Sequence, residues 1–159
     1  MTAPTPQMRP MTTDEFARWD ETELENYAAE VAAARGVTRG EARRLAEEGR
    51  QRYLPDGLQT AGVHLLIGED DAGERIGVLW VGPNPDGVGP AWVYDIEVVE
   101  GRRGEGWGRA LMLEAERVAR EDGHAELALN VFGSNQVARN LYESLGYATT
   151  SLQMRKPLG

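Results

Sequence analysis

The sequence predicts a single α/β domain of the α+β type, organised around one mixed sheet. Three observations predict it. Hydrophobic periodicity runs in the order ααββ(β)αβαβ, the length of 159 residues suits one domain, and no repeat, low-complexity tract or long linker divides residues 1–159.

A short strand is expected at Gln7 to Pro10, behind a proline-rich lead (Pro4, Pro6, Pro10). Thr12 with Glu15 three residues on is a capping-box pattern, and Phe16, Trp19, Leu24, Tyr27 and Val31 follow at helical spacing, so a first helix spans about 13–34 and ends at Gly36. Thr38 with Glu41 repeats the pattern, and Ala42, Leu45, Ala46 and Leu54 carry a second helix to Pro55. From Val63 the period falls to two: VHLLIGE and RIGVLWVG read as strands joined by the turn DDAGE, and AWVYDIEVV as a third strand. After GRRGEGWG, Leu111, Ala115, Val118 and Ala119 mark an amphipathic helix ending at Gly123. ELALNVF is a further strand, Ala138, Leu141 and Leu145 a last helix stopped by Gly146, and YATTSLQMRKPL a closing strand.

Composition excludes several classes. No apolar run approaches the ~18 residues of a membrane span and the N-terminus lacks a signal-peptide core, so a soluble, cytoplasmic protein is expected. The absence of cysteine removes thiolate nucleophiles and zinc-thiolate sites, and two histidines without HxxxH or HxH spacing give no metal site. A net charge of −9 opposes nucleic-acid binding. That charge is uneven: residues 1–60, 61–100 and 101–159 carry −3, −7 and +1. An acidic middle beside a nearly neutral last third suits a cationic partner on one side and an anionic one on the other, although most surface carboxylates only solvate.

The anionic partner has a candidate cradle. Arg103-Gly104-Glu105-Gly106-Trp107-Gly108-Arg109 lies between a strand and a helix, where glycines let the backbone aim several N–H groups at one point beside a helix N-terminus. It is not a P-loop, since Lys and Ser/Thr do not follow Gly106. It is not the dinucleotide fingerprint either, since its glycines are evenly spaced with only about 50 residues behind them.

A second signature follows about 30 residues on, NxxAxxLYxxLGY from Asn135 through Ala138, Leu141, Tyr142, Leu145 and Gly146 to Tyr147. Together with RxxGxG at Arg103, Gly106 and Gly108, it resembles the GNAT superfamily of acyl-CoA-dependent N-acetyltransferases. The match is strong over residues 92–147, and the segments YDIEV, RGEGWG and TSLQMRK look like one group of largely uncharacterised bacterial members. The resemblance implies a mostly antiparallel central sheet with helices on both faces and a splayed β4/β5 pair. It implies acetyl-CoA (coenzyme A) as cosubstrate, with no metal. The pantetheine arm would bond to backbone near Val98, the pyrophosphate would sit on residues 103–109 with Arg103, Gly104, Gly106, Gly108 and Arg109, and Asn135 would touch the pantetheine region. Arg102 is read as a surface ion pair. Trp107 is read as a core anchor of the loop.

The expected reaction is acetyl transfer to a primary amine, of a small molecule or a peptide. It would proceed directly in a ternary complex, since no cysteine exists to carry the acetyl group. A lysine-like amine with a pKa of ~10.4 is a free base in about one molecule in 2,500 at pH 7, a handicap of roughly 4.6 kcal/mol. Tyr142 stands where the family carries its general acid. For the base, strand alternation puts Val93, Asp95, Glu97 and Val99 on one face and Trp92, Tyr94, Ile96 and Val98 on the other. Glu97 could take the proton through water and Asp95 could hold an ammonium or support Glu97; a merely solvated face is the alternative. Some relatives place a glutamate where this chain has Asn130, which cannot accept a proton. His64 could reach the acceptor pocket but reads better as structural, and His124 as exposed. Only 13 residues follow Gly146, so the family's C-terminal hairpin is expected to be missing or minimal. The acceptor side would then be open, walled by the two early helices, with the sheet edge covered by a second subunit in a homodimer. The rival reading is a non-catalytic acyl-CoA-binding or sensory module in which Tyr142 and Glu97 are idle.

Overall fold

The computed structural model describes residues 3–159. Its elements are β1 (Gln7–Pro10), α1 (Thr13–Arg35), α2 (Arg39–Tyr53), β2 (His64–Glu69), β3 (Arg75–Gly82), β4 (Ala91–Val98), α3 (Trp107–Glu121), β5 (Leu127–Leu129) and α4 (Gln136–Ser144), with short 3-10 turns at Gly57–Gln59 and Glu100–Arg102. Both capping boxes form: Thr12 accepts from the Glu15 amide and Thr38 from the Glu41 amide, and each glutamate returns a bond to its cap's N–H. The β2–β3 turn is closed by Asp70, whose side chain accepts from the amides of Ala72 and Glu74.

The five strands lie in sequence order, antiparallel from β1 to β4, with β5 parallel to β4. The helices cover both faces. On one, Trp19 of α1 and Leu54 after α2 pack on Leu65, Ile67, Val78 and Trp80, while Leu24, Ala28 and Val31 join α1 to Ala42 and Ala46 of α2. On the other, Leu111, Met112 and Ala115 of α3 pack on Ile76, Leu79 and Val93, and Tyr142 and Leu145 of α4 join them. Burying some two dozen apolar side chains between these layers supplies the main stabilisation, about 1.5–3 kcal/mol for each fully covered valine, leucine, isoleucine or methionine.

Three expectations change. Strand alternation in β4 is broken by a bulge: Trp80 pairs with Asp95 and Val81 with Val93, leaving Tyr94 as an extra residue. Val93 therefore faces α3, with Ile96 and Val98, whereas Tyr94 and Asp95 both face α1 and α2. The fifth strand shrinks to three residues, because β5 pairs with β4 only from Ala91–Leu127 to Val93–Leu129 and then loses its partner. Finally, residues 148–159 do not form a strand, and no strand follows α4 among the described residues.

At Gly77 in β3, opposite Val98, a methyl group would overlap the Glu97 carbonyl and lie 2.8 Å from Leu111 Cδ1. The sheet and α3 can approach this closely only without a side chain. Gly77→Ala is expected to cost about 2–3 kcal/mol, read as a lowered urea midpoint, and a neutral substitution would contradict the close approach.

Candidate active site

The cradle loop is preorganised by its backbone. Gly104 and Gly106 adopt φ of 80° and 90°, a left-handed region that penalises any side chain. Gly106 is the N-cap of α3 and offers no side-chain cap, so the first-turn N–H groups of Trp107, Gly108 and Arg109 have no intrahelical acceptor. They point out at the positive end of a 15-residue helix, the arrangement that receives a phosphate. Gly108 lets α4 close in, since a Cβ there would lie 3.3 Å from Leu141 Cδ2.

The arginines divide by role. Arg102 is ion-paired to Asp70 (2.8 Å) and Glu105 (2.9 Å) and lies over the Trp107 ring, so it braces the loop against the β2–β3 turn. Trp107 is buried and donates to Glu105, anchoring the loop in the core. Arg103 is exposed, its Nε reaching the Val98 carbonyl at 3.4 Å, which joins the cradle to the backbone expected to meet the pantetheine arm. Arg109 instead donates to Ser144 Oγ at 2.6 Å and ties α3 to α4. Asn135 caps α4, its side-chain oxygen accepting from the Ala138 amide at 3.2 Å.

Between the parted halves of β4 and β5 lies the second part of the site. Tyr142 is half-buried in the α3–α4 layer, and its hydroxyl has no hydrogen-bond partner among the described residues. Burial, then the Asp95 charge, raise its pKa, so at neutral pH the phenol stays protonated and able to donate. Asp95 faces the opposite layer, where the Trp19 indole N–H donates to its Oδ2 at 3.1 Å. Burial pushes Asp95 up to about 6, helped by Glu97 and Glu30 and opposed by the Trp19 bond and Arg50. Glu97 shares that face and is exposed.

Sequence reasoning missed the wall behind Asp95. Arg50 of α2 lies over the rings of Trp19 and Trp80, 4.8 and 4.9 Å from their centres, and is ion-paired to Asp20 at 2.9 Å and to Glu23. Burial, with the Asp95 and Asp20 charges, lifts Glu23 to about 7 against the pull of Arg50. These residues carry no motif; the only trace was the spacing of Trp19, Asp20 and Glu23, which shares one helical face. Phe132, after β5, packs against α1 with its ring 6.5 Å from Tyr27, closing the far end. His64 lies outside the cleft, paired with Asp122 at 2.7 Å, and His124 is half-buried rather than exposed.

A family model described as "Acetyltransferase (GNAT) family" matches residues 38–147. The chain belongs to the GNAT family. It is 32% identical over 151 residues to the uncharacterised N-acetyltransferase YdgE of Bacillus subtilis, covering 93% of this chain and 95% of that one. The crystal structure of the Bacillus subtilis acetyltransferase YycN, also 32% identical, superposes with a TM-score of 0.87 over 97% of this chain and 99% of that one. The fold is shared, at 19% identity and a TM-score of 0.59 over 96% of this chain and 97% of that one, with AAC(6')-Iy solved with a CoA-linked bisubstrate analogue. The chain is a GNAT N-acetyltransferase, and acetyl-CoA is the cosubstrate that membership implies. The left-handed glycines, the free N–H groups of α3 and the gap beside Val98 fit that cosubstrate. No helix of the described residues is long and apolar enough to cross a membrane.

Gly106→Asp places a carboxylate and a strained backbone at the centre of the cradle. Calorimetric affinity for acetyl-CoA is expected to fall at least about 100-fold, roughly 2.7 kcal/mol, with the far-UV spectrum unchanged. Unaltered binding would remove the loop from the cofactor site.

Proposed function

We propose that the chain moves an acetyl group from acetyl-CoA directly to a primary amine in a ternary complex, with Tyr142 as general acid and the Asp95–Glu97 pair handling the amine. The pyrophosphate is held on the loop by Arg103, Gly104, Gly106 and Gly108, the pantetheine arm lies along the Val98 backbone, and Asn135 and Arg109 fix the position of α4 against the loop.

The single observation that carries the reading is the pairing of unlike groups across the β4–β5 gap. Tyr142 belongs to the layer on one face of the sheet and Asp95 turns to the other, and the Asp95 charge helps to raise the phenol, which supports a shared substrate between them. An amine nitrogen attacking the thioester carbonyl must lose a proton, and the departing CoA sulfur must gain or be offered one. Asp95, with a pKa near 6, is mostly ionised at pH 7 yet basic enough to accept that proton. Glu97, exposed at the mouth, meets the incoming ammonium. The bulge at Tyr94 and the Trp19 bond thus support exchanging the roles first assigned to the two carboxylates, with Glu97 as the alternative base through water. Glu23 and Glu30 on α1 add negative charge near this cleft, consistent with a cationic acceptor such as a polyamine, an aminoglycoside-like amine or a basic peptide.

A panel of amines assayed for CoA thiol release tests the proposal. Because Asp95 works ionised, kcat should rise with pH through about 6 and then level off. Asp95→Asn should lower kcat by about 10²–10⁴-fold and abolish that limb, while Glu97→Gln keeps the limb and raises the amine KM. Tyr142→Phe should lower kcat by a similar factor without changing acetyl-CoA affinity. An active Tyr142→Phe enzyme would remove Tyr142 from the mechanism, and acetyl-CoA binding without turnover of any amine would favour a sensory module.

A further inference from the structure

The two left-handed glycines of the cradle stand in unlike surroundings. A methyl group on Gly104 would meet nothing within 4 Å, which leaves that side of the loop open to a ligand. On Gly106, the N-cap of α3, a methyl group would lie 3.3 Å from Cδ and 3.8 Å from Cγ of Pro4. The proline ring is packed on the cap residue itself.

Pro4 belongs to an arm, residues 3–6, that precedes β1 without a helix or strand of its own. Its composition makes it stiff. Proline fixes φ near −65° at positions 4 and 6 and keeps the residues before it, Ala3 and Thr5, out of the helical region, so all four favour one extended path. The arm is also anchored. Pro6 is buried, Gln7 pairs with Glu69 of β2, and Met8 packs on the cluster of Ile76, Trp107, Ala110 and Leu111 that roots the first turn of α3. A rigid segment held by the sheet at one end thus meets the cap of α3 at the other.

The loop is consequently braced from two sides. Arg102 ties it by charge to Asp70 at the β2–β3 turn, and Pro4 backs it by contact from ahead of β1. Gly106 depends on the second brace, because it has φ of 90° and no side chain to cap the helix, while its carbonyl accepts from the Ala110 amide at 3.1 Å to close the first turn. Glycine reaches many other conformations, and each of them would open that turn.

We propose that Pro4 is a positioning residue for the coenzyme: pressed on Gly106, it holds the free N–H groups of Trp107, Gly108 and Arg109 in their phosphate-receiving arrangement before acetyl-CoA arrives. It touches no reacting atom and acts through the cap. A loop already in place spares the ligand the ordering that a slack loop would demand, so the arm raises affinity rather than rate. The proposal rests on the reading of the loop as the acetyl-CoA site.

The test is a double-mutant cycle on the full chain, with acetyl-CoA titrated calorimetrically into the wild type, Pro4→Gly, Gly106→Ala and the double variant. Pro4→Gly is expected to weaken binding about 10-fold through lost preorganisation. The urea midpoint should stay at the wild-type value, because position 4 lies outside every helix and strand. Amide exchange separates a local effect from a general one: Ala110 should exchange faster, while Leu79 in the central strand β3 keeps its wild-type rate. Gly106→Ala drives its methyl group against Pro4, so its own loss of affinity should shrink by about 3-fold or more once Pro4 is gone. Unchanged affinity in Pro4→Gly, additive losses in the cycle, or a lowered urea midpoint with faster exchange at Leu79 would each overturn the proposal. A wild type that binds no acetyl-CoA would overturn the coenzyme reading itself, and this proposal with it.

Discussion

Hydrogen bonding between β4 and β5 lasts three residues and then stops, and the rest of the site depends on that parting. On one side, β4 continues along β3 to Val98, held by the close approach at Gly77. On the other, the chain leaving β5 is drawn towards α1, where Phe132 packs against the cluster of Leu24, Ala28 and Val31. Two anchorages on different layers pull adjacent strands apart. The gap joins the two faces of the sheet, which is what the proposed action of Tyr142 from the α3–α4 layer and Asp95 from the α1–α2 side on one substrate requires. A continuous sheet would separate them.

The loop and the gap form a single device. Arg102 and Trp107 hold the loop to the core and to the β2–β3 turn, and Arg109 holds α4 to α3 through Ser144. The free N–H groups of α3 therefore keep a fixed distance from Tyr142, as the proposed mechanism needs if a cosubstrate held at its phosphates is to present its thioester at the other end. Two of the three arginines near the loop serve this bracing, and Arg103 remains exposed beside the Val98 carbonyl.

Local chemistry was legible in the sequence because it is written in adjacent residues. Thr12 with Glu15, Thr38 with Glu41, and Gly104 and Gly106 each state a backbone conformation that the structure adopts. The motif from Asn135 to Tyr147 carried the family and the position of Tyr142. What escaped was long in sequence separation or one residue wide. Trp19 meets Asp95 across 76 positions, and nothing in either segment announces the other. The bulge at Tyr94 adds one residue to a run that reads as regular alternation, which turned Val93 to the opposite face from Asp95. Arg50 over two tryptophan rings depends on three elements at once. The final strand was misread because the tail has the pattern of a strand, and pattern alone does not supply a neighbour to pair with.

The carboxylates behind the gap show what this arrangement costs. Asp95 and Glu23 are pushed up to about 6 and about 7, chiefly by burial, from ordinary values near 4. Between about pH 4 and 7 the folded protein thus binds more protons at these two groups than the unfolded chain does, so their contribution to stability falls as pH rises through that window. A chain selected only for stability would put apolar side chains there, or match each carboxylate with a cation. Instead the nearby cation, Arg50, is committed to Asp20 and Glu23 and lies over the rings of Trp19 and Trp80, leaving Asp95 with a single neutral donor. That donor fixes the direction of the carboxylate while lowering its pKa far less than a guanidinium pair would. The result is an oriented carboxylate whose basicity is set by burial, two residues past the point where β4 loses β5 and suited to the proposed role of base.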